Sequence, residues 1–359
     1  MSAAAEHRPG CPKRMVYGPC GGVRADLSCE MAPQPCPFVT APPVAFAPGF
    51  PPGTADVPAR PPAASALLSA AARGPVVLTD LSVRPFSPAS IERVTQILDG
   101  SCDAVLVGEH QDRPDFPPAL MASLVQAAGG RAWITLTCRD RNRLVLEQDL
   151  AGLAQAGADG VLCVTGDGRG PGIRPGVTQV FDLDGTRLAA MAAAAGLPAA
   201  VPEAPAAPPA GLRPHRLLAK QQAGARLAVL NHAGSAARVA QFARAAAGLG
   251  VRLPLIAGVA VYTDEPSARV LAAFPGLEVD QPAMARVLAA PDPVEAGIAA
   301  AAAEARELLA TGLVAGVNLS GLASARGEVH GAEIKAAVGR RIRAEAQRAR
   351  SQIAQEGDG

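Results

Sequence analysis

The chain alternates short apolar runs with segments of helical periodicity, eight times between residues 75 and 319. Each run has the length and apolar continuity of a strand buried on both faces, as parallel sheets require. The eight runs are Pro75–Thr79, Asp103–Val107, Ala132–Thr137, Gly160–Thr165, Ala199–Val201, Arg226–Leu230, Pro254–Ala257 and Val314–Leu319. Eight strand–helix units predict an α/β fold, the (β/α)8 TIM barrel. An open doubly wound sheet is the alternative, and it fits the strand count less well.

The composition narrows the classes of partner. Of the 359 residues, 33 are basic and 32 acidic, so the net charge of +1 gives no attraction to nucleic acid or an anionic membrane. Aromatic residues make up only 3%, which argues against base-stacking surfaces. No run of about 18 strongly apolar residues is present, and the first residues lack the core of a signal peptide. We therefore expect a cytoplasmic protein, in which disulfides are uncommon.

Composition also divides the chain into four regions. Residues 1–40 form a cysteine-rich head, and residues 41–74 a proline- and alanine-rich linker. Residues 75–332 form the predicted barrel, and residues 333–359 a charged C-terminal helix and tail. A second proline-rich tract, Pro198–Pro214, has the same composition as the linker and predicts another extended segment, because proline donates no backbone hydrogen bond.

Polar residues follow most of the predicted strands. In a barrel these positions meet at one face, where active sites of this fold lie. Strand ends face solvent in any case, so each residue taken singly has a plain structural explanation, and only their coincidence favours a site. The positions are Asp80, Gly108–His110, Thr137–Arg139, Gly166–Asp167, Pro202–Glu203, Asn231–His232, Gly258 and Ser320.

One stretch resembles a known family. In AWITLTCRDRNRLVLEQDLAGLAQAGADGVLCVTGD, Ala132–Asp167, a strand ends in Leu-Thr-Cys, a helix follows, and the next strand ends in Thr-Gly-Asp. This arrangement is similar to the central signature of the methylenetetrahydrofolate reductase family. Weaker similarity extends over the barrel, at Ala200–Glu203, Ala219–Ala225 and Ile256–Thr263.

The resemblance implies a reaction and two catalytic residues. The family reduces 5,10-methylenetetrahydrofolate to 5-methyltetrahydrofolate in one-carbon and methionine metabolism, with FAD usually carrying the hydride from NAD(P)H. Asp80 matches the family's glutamate acid but is one methylene shorter, which shortens its reach. Asp167 matches the aspartate that faces both flavin and pterin, where a carboxylate stabilises the cationic intermediate.

The resemblance also implies binding residues. Thr137, Asp167 and Lys220 match the cofactor side, Lys220 near the flavin phosphates, and Glu203 and Asn231 match the folate side. Asn231 stands where the family has glutamine, which keeps the amide chemistry with less reach.

Two further positions depart from the family pattern. Pro205 replaces a histidine and Arg213 replaces an acidic residue. These changes predict a remodelled cofactor pocket and leave the retention of flavin open.

The head carries four cysteines, Cys11, Cys20, Cys29 and Cys36, spaced C-x8-C-x8-C-x6-C. Clustered thiols in a reducing compartment predict a metal site, and four thiolates suit either zinc or a [4Fe–4S] cluster. The pattern resembles the small cysteine domain that accompanies methylenetetrahydrofolate reductases in some bacteria.

The leading hypothesis is therefore a methylenetetrahydrofolate reductase-like oxidoreductase. The alternative is a folate-binding or electron-transfer subunit that needs a redox partner protein for turnover, and the departures at Asp80, Pro205 and Arg213 favour it. A related C1-transfer protein that acts on a modified pterin is a third hypothesis. All three have a folate-type ligand and no nucleic acid or membrane partner.

Overall fold

The structure is a computed structural model that describes residues 6–46, 63–170, 172–274 and 276–357, with side chains up to residue 348. Eight parallel strands pair in chain order, and the eighth pairs with the first, so the sheet closes into a barrel. This confirms the predicted (β/α)8 barrel over the open sheet. The strands are β1 (Val76–Leu81), β2 (Ala104–Val107), β3 (Ala132–Thr137), β4 (Gly160–Val164), β5 (Ala199–Glu203), β6 (Leu227–Leu230), β7 (Leu255–Tyr262) and β8 (Gly316–Ala323).

Helices surround the barrel and bury their apolar faces against the outward-facing strand residues. Several begin at a side chain that caps the first turn, for example Asn142 before α4 and Asp184 before α5. In the described residues the helices are α1 (Ala66–Ala71), α2 (Pro88–Leu98), α3 (Pro118–Ala127), α4 (Arg143–Gln155), α5 (Gly185–Ala194), α6 (Arg213–Gln222), α7 (Ala236–Gly248), α8 (Glu265–Ala272), α9 (Gln281–Leu288), α10 (Pro293–Ala310) and α11 (Glu328–Gly357). None of them is long and apolar enough to cross a bilayer.

The barrel is closed at its N-terminal end by α1. Leu67 is fully buried among the inward-facing strand residues. The Asp159 carboxylate accepts hydrogen bonds from the Ala66 amide at 2.7 Å, the Ser65 hydroxyl at 3.0 Å and the Trp133 indole at 2.7 Å. These contacts tie α1 to the bottom of β3 and β4, so the open end of the barrel is the C-terminal end.

Three expectations about segments need correction. The linker expected over residues 41–74 contains the helix α1. In the tract Pro198–Pro214, expected to be extended, β5 agrees with the predicted run Ala199–Val201, and the correction is the start of α6 at Arg213. The C-terminal helix begins at Glu328, five residues before the expected start.

The head packs directly on the barrel, over the ends of β4 and β5 and against α6. The Val16 amide donates to the Asp184 carboxylate at 2.9 Å. The Arg213 guanidinium donates to the backbone carbonyls of Pro19 at 3.1 Å and Cys20 at 3.0 Å. The head has little regular structure, with one isolated bridge in its described residues, and its core is small: Met15, Val23, Cys36, Phe38 and Ala41. Its position therefore depends on the barrel.

Candidate functional site

Asp80, the expected acid, faces the inside of the barrel mouth at the end of β1. Its carboxylate accepts a hydrogen bond from the Asn318 amide of β8 at 2.9 Å. Burial raises the pKa of Asp80, although the nearby Lys335 ammonium and the Asn318 hydrogen bond oppose the rise. The other amide atom, Asn318 Oδ1, is buried and has no partner among the described residues. This pair therefore offers a carboxyl group and a free acceptor at one edge of the mouth.

Asp167 lies half-buried just after β4, and the head places a cation beside it. The Lys13 ammonium is buried, donates to the Gly166 carbonyl at 2.6 Å and pairs with the Glu30 carboxylate. It also lies 5.7 Å from the centre of the Phe181 ring. Burial raises the pKa of Asp167, and the charge of Lys13 opposes the rise. Residues from two regions of the chain thus form one charged cluster.

Glu203 and Lys220, expected on the folate and cofactor sides, contact each other. The Lys220 ammonium lies 2.7 Å from Glu203 Oε2, and the Glu203 side chain is only 1% exposed. Arg213 lies 3.6 Å from the other carboxylate oxygen. Although burial opposes it, the charges of Lys220, Arg216 and Arg213 lower the pKa of Glu203 to about 2. Both residues point away from the mouth, between β5 and α6.

Thr137, also expected on the cofactor side, supports a carboxylate on the opposite side. Its hydroxyl donates to Glu109 Oε2 at 2.6 Å, and its amide donates to the same oxygen at 3.1 Å. Glu109 in turn pairs with Arg141 at 2.5 Å, and Arg141 pairs with Asp149 at 2.6 Å. This chain of contacts connects the end of β3 with the outer wall of the barrel.

Asn231 and His232 follow β6. Asn231 is half-buried, and its backbone N–H donates to the Glu203 backbone carbonyl at 2.8 Å. His232 Nε2 lies 2.5 Å from the Ser320 hydroxyl of β8. Burial lowers the pKa of His232 to about 4, so its ring is neutral near pH 7.

The four head cysteines are all free thiols. Burial raises the pKa of Cys11 and of Cys36, and the neighbouring Cys29 adds to both shifts. The Cys20 thiol donates instead to the Glu30 carboxylate at 3.1 Å, and burial raises its pKa to about 12. In the part of the chain that the structure describes, no three metal-ligating side chains are arranged to hold one ion. The zinc or [4Fe–4S] site stays a prediction that this geometry does not support.

The expected flavin residues fit a flavin poorly. Lys220 is held by the Glu203 carboxylate and also donates to the Pro202 carbonyl, so its ammonium is not available for a phosphate group. The head covers the residues around it: Gly21 lies against Ala204, and Arg213 binds head carbonyls. The ends of β4 and β5 under the head are the covered side of the mouth, and the space around Lys220 there is filled by the protein itself.

The open side of the mouth, meaning the ends of β2 and β3, borders a cavity of about 510 Å³. This volume is in the range of small-molecule sites. The loops after β2, β3 and β4 line the cavity, with an apolar floor that includes Ile134, Met121 and Phe116. It adjoins Asp167 through Arg139, which lines the cavity and acts electrostatically on that carboxylate.

Several residues of the site were not identified from the sequence. Asn318 lies within a predicted strand, and its one signal is a polar side chain in an apolar run. Lys13 and Glu30 belong to no recognisable sequence motif, because only the docking of the head brings Lys13, with its partner Glu30, to Gly166. Arg213 was noted as a departure from the family, and its role in holding the head needed the structure.

Comparisons with known proteins show the fold. Neither a protein-family profile nor a curated protein matches the sequence. Among solved structures, an uncharacterized protein from Clostridium thermocellum that binds two copies of 5-methyl-5,6,7,8-tetrahydrofolic acid is 11% identical. The match has a TM-score of 0.56 and covers 77% of this chain and 99% of that one. A tryptophan synthase chain from M. tuberculosis is 13% identical, with a TM-score of 0.43, over 79% and 99% of the two chains.

Proposed function

We propose that this protein binds a reduced folate at the C-terminal mouth of its barrel, as the folate-binding part of a one-carbon system of the methylenetetrahydrofolate reductase type. The observation that carries the proposal is Asp167, a half-buried carboxylate at the end of β4 beside an open cavity. A carboxylate there accepts hydrogen bonds from the amino and ring N–H groups of a pterin. The similar fold of a methyltetrahydrofolate-binding protein supports the ligand class.

Other groups at the mouth suit the same ligand. Asn231 and Asn318 offer amides, which pair with the alternating donors and acceptors of a pterin ring. Asn318 Oδ1 is buried without a partner among the described residues, and a buried acceptor of this kind gains most when a ligand satisfies it. The mouth is therefore suited to a flat, polar heterocycle.

A second candidate function is the reduction itself, and Asp80 favours it. Its raised pKa keeps more of the carboxyl protonated, as an acid that opens the methylene bridge requires. Asp167 would then stabilise the cation that forms. The hydride would come from a nicotinamide or from a partner protein, since Lys220 and Thr137, two of the residues expected to hold flavin, are occupied by internal contacts.

The two functions are separated by one set of measurements on the full chain purified without oxygen. Binding of 5-methyltetrahydrofolate is measured by calorimetry, and the visible spectrum and metal content are recorded. Oxidation of 5-methyltetrahydrofolate is then assayed with an artificial electron acceptor. Binding without turnover supports the folate-binding subunit, and turnover supports the reductase. Absence of folate binding contradicts both.

A further inference from the structure

The charged side chains that line the cavity on the open side of the mouth are not all paired with one another. Five arginines and four carboxylates line it. Every carboxylate is engaged: Glu109 and Asp149 by Arg141, Asp140 by Arg139 and Arg169, and Asp115 by backbone amides. Three of the four carboxylates are therefore paired with arginines, and Asp115 has no ion pair in the described residues.

Two of the arginines differ from the rest. Arg113 and Arg174 are exposed at the rim, and neither has a carboxylate within ion-pair distance in the described residues. The nearest polar contact of Arg113 is the His110 ring at 3.0 Å, and burial lowers the pKa of that histidine, so the ring stays neutral. In the described residues the rim thus carries two arginines that form no ion pair, and the nearby carboxylates Asp112 and Asp115 act on the same histidine.

A third arginine is buried beside them. The Arg169 side chain is 9% exposed and pairs with Asp140 at 2.8 Å. Its Nε donates to the Gln111 carbonyl at 2.8 Å, but Nη1 is buried without a partner among the described residues. Buried guanidinium donors are normally all engaged, because an unpaired one loses its hydration without return. Arg169 lies two residues after Asp167 in the same loop, so this group belongs to the same region of the mouth.

Below these charges the cavity is apolar. Phe116 is half-buried and packs edge-on against Phe86, with ring centres 5.5 Å apart. Ile134 and Met121 complete the floor. An apolar floor under a cationic rim suits a ligand that carries an aromatic ring followed by carboxylates.

We propose that this cavity binds the aminobenzoyl-glutamate tail of the folate, with the ring on the apolar floor and the two carboxylates at Arg113, Arg174 and Arg169. The inference rests on the proposed folate function and orients the ligand: the pterin lies at Asp167 and the tail runs outward over β3 and β2. A dicarboxylate is selected here because guanidinium groups bind carboxylates through paired hydrogen bonds.

The test uses the full chain and three probes in calorimetry: 5-methyltetrahydrofolate, tail-less 6-methyltetrahydropterin, and p-aminobenzoyl-L-glutamate. The double variant Arg113→Gln/Arg174→Gln removes the rim charges. The matched control Arg73→Gln/Arg93→Gln removes two exposed arginines elsewhere, with the same change in net charge. Because all four arginines are exposed, both variants should keep the fold.

We expect the rim variant to bind 5-methyltetrahydrofolate and p-aminobenzoyl-L-glutamate about tenfold more weakly or worse, since two charge-assisted contacts are lost. The tail-less pterin should bind with unchanged affinity, and the control variant should match the wild type for every probe. Equal binding of p-aminobenzoyl-L-glutamate to rim variant and wild type, or its failure to bind either, overturns the proposal.

The outcomes also separate this inference from the folate proposal. Binding of 5-methyltetrahydrofolate that is the same in wild type and rim variant upholds the folate function and rejects the tail cavity. Arginine-dependent binding of p-aminobenzoyl-L-glutamate, without binding of either pterin, upholds the cavity and rejects the folate function.

Discussion

The covered and open sides of the barrel mouth use the same residue types in opposite ways. On the covered side, the basic side chains Lys13, Arg213 and Lys220 are buried and donate hydrogen bonds to glutamate carboxylates and backbone carbonyls. On the open side, Arg113 and Arg174 stand at the rim of a cavity without carboxylate partners in the described residues. A basic residue near the mouth is therefore a ligand-binding candidate only when no carboxylate or carbonyl of the protein already binds it.

The largest expected effect lies on the covered side, at Glu203. The change Glu203→Gln leaves Lys220 and Arg213 as buried charges without a counter-ion, which costs about 3–5 kcal/mol of folding free energy. Urea unfolding monitored by circular dichroism measures this. The control is Glu278→Gln, whose pair with Arg238 is about half exposed, and its loss should stay below about 1 kcal/mol. Similar losses in both variants would contradict the buried network.

The lowered pKa of Glu203 predicts that the stability of the protein depends on pH. The pKa of Glu203 is about 2 in the folded protein against an ordinary 4.5, so its stabilisation is complete above about pH 4.5 and is lost as the pH falls towards 2. The component amounts to about 3 kcal/mol. Unfolding midpoints from about pH 6 to about pH 2.5 should therefore fall more steeply in the wild type than in Glu203→Gln. Parallel curves would show that another group governs the acid transition.

Arg213 holds the head on the covered side of the mouth, because its guanidinium binds two backbone carbonyls of the head. The change Arg213→Gln removes hydrogen bonds to the carbonyls of Pro19 and Cys20, each worth about 1.5–3 kcal/mol when the donor is charged and buried. Amide hydrogen exchange should accelerate in residues 13–23 and stay unchanged in α3 on the open side. Unchanged protection in the head would mean that its other contacts suffice to hold it.

Asp167 lies near both Lys13 of the head and Arg139 of the open cavity, and its replacement by asparagine tests the ligand site. Asp167→Asn should weaken binding of 5-methyltetrahydrofolate by about tenfold, or about 1.4 kcal/mol, because the pterin N–H groups lose their charge-assisted hydrogen bonds to the carboxylate. Turnover, where present, should fall at least about tenfold while the fold stays intact. Asp99→Asn, at an exposed helix end, is the control. Unchanged affinity and kinetics would refute the role of Asp167.

The smallest effect is expected on the open side, at Glu109. Its side chain is 19% exposed, so Glu109→Gln should cost about 1 kcal/mol, since water replaces part of the lost pairing with Arg141. Hydrogen exchange of the head should not change. A loss as large as that of Glu203→Gln would show that exposure does not distinguish the two sides.

Much of the fold was predictable from the sequence. The apolar runs located all eight strands, and β7 and β8 extend furthest past the C-terminal ends predicted for them. The segment Pro198–Pro214 was harder, because composition alone cannot distinguish a proline-rich strap from a strand flanked by prolines. Of the candidate site, Asp80, Asp167 and Asn231 lie at the mouth as expected, but Glu203 and Lys220 pair with each other behind the wall.

The sequence located the strands and favoured the barrel, because the spacing of apolar runs is a local property and eight strand–helix units fit a closed barrel better than an open sheet, and the structure showed the closure. It also determined which polar residues follow the strands. Tertiary structure alone decided which of them face a ligand. Strand-end residues alternate between mouth and wall, and the head, tied to the barrel by Lys13, Val16 and the carbonyls that Arg213 binds, covers one side of the mouth. Contacts between residues more than 150 positions apart have no local signature, so the division into covered and open sides appears only in the folded chain.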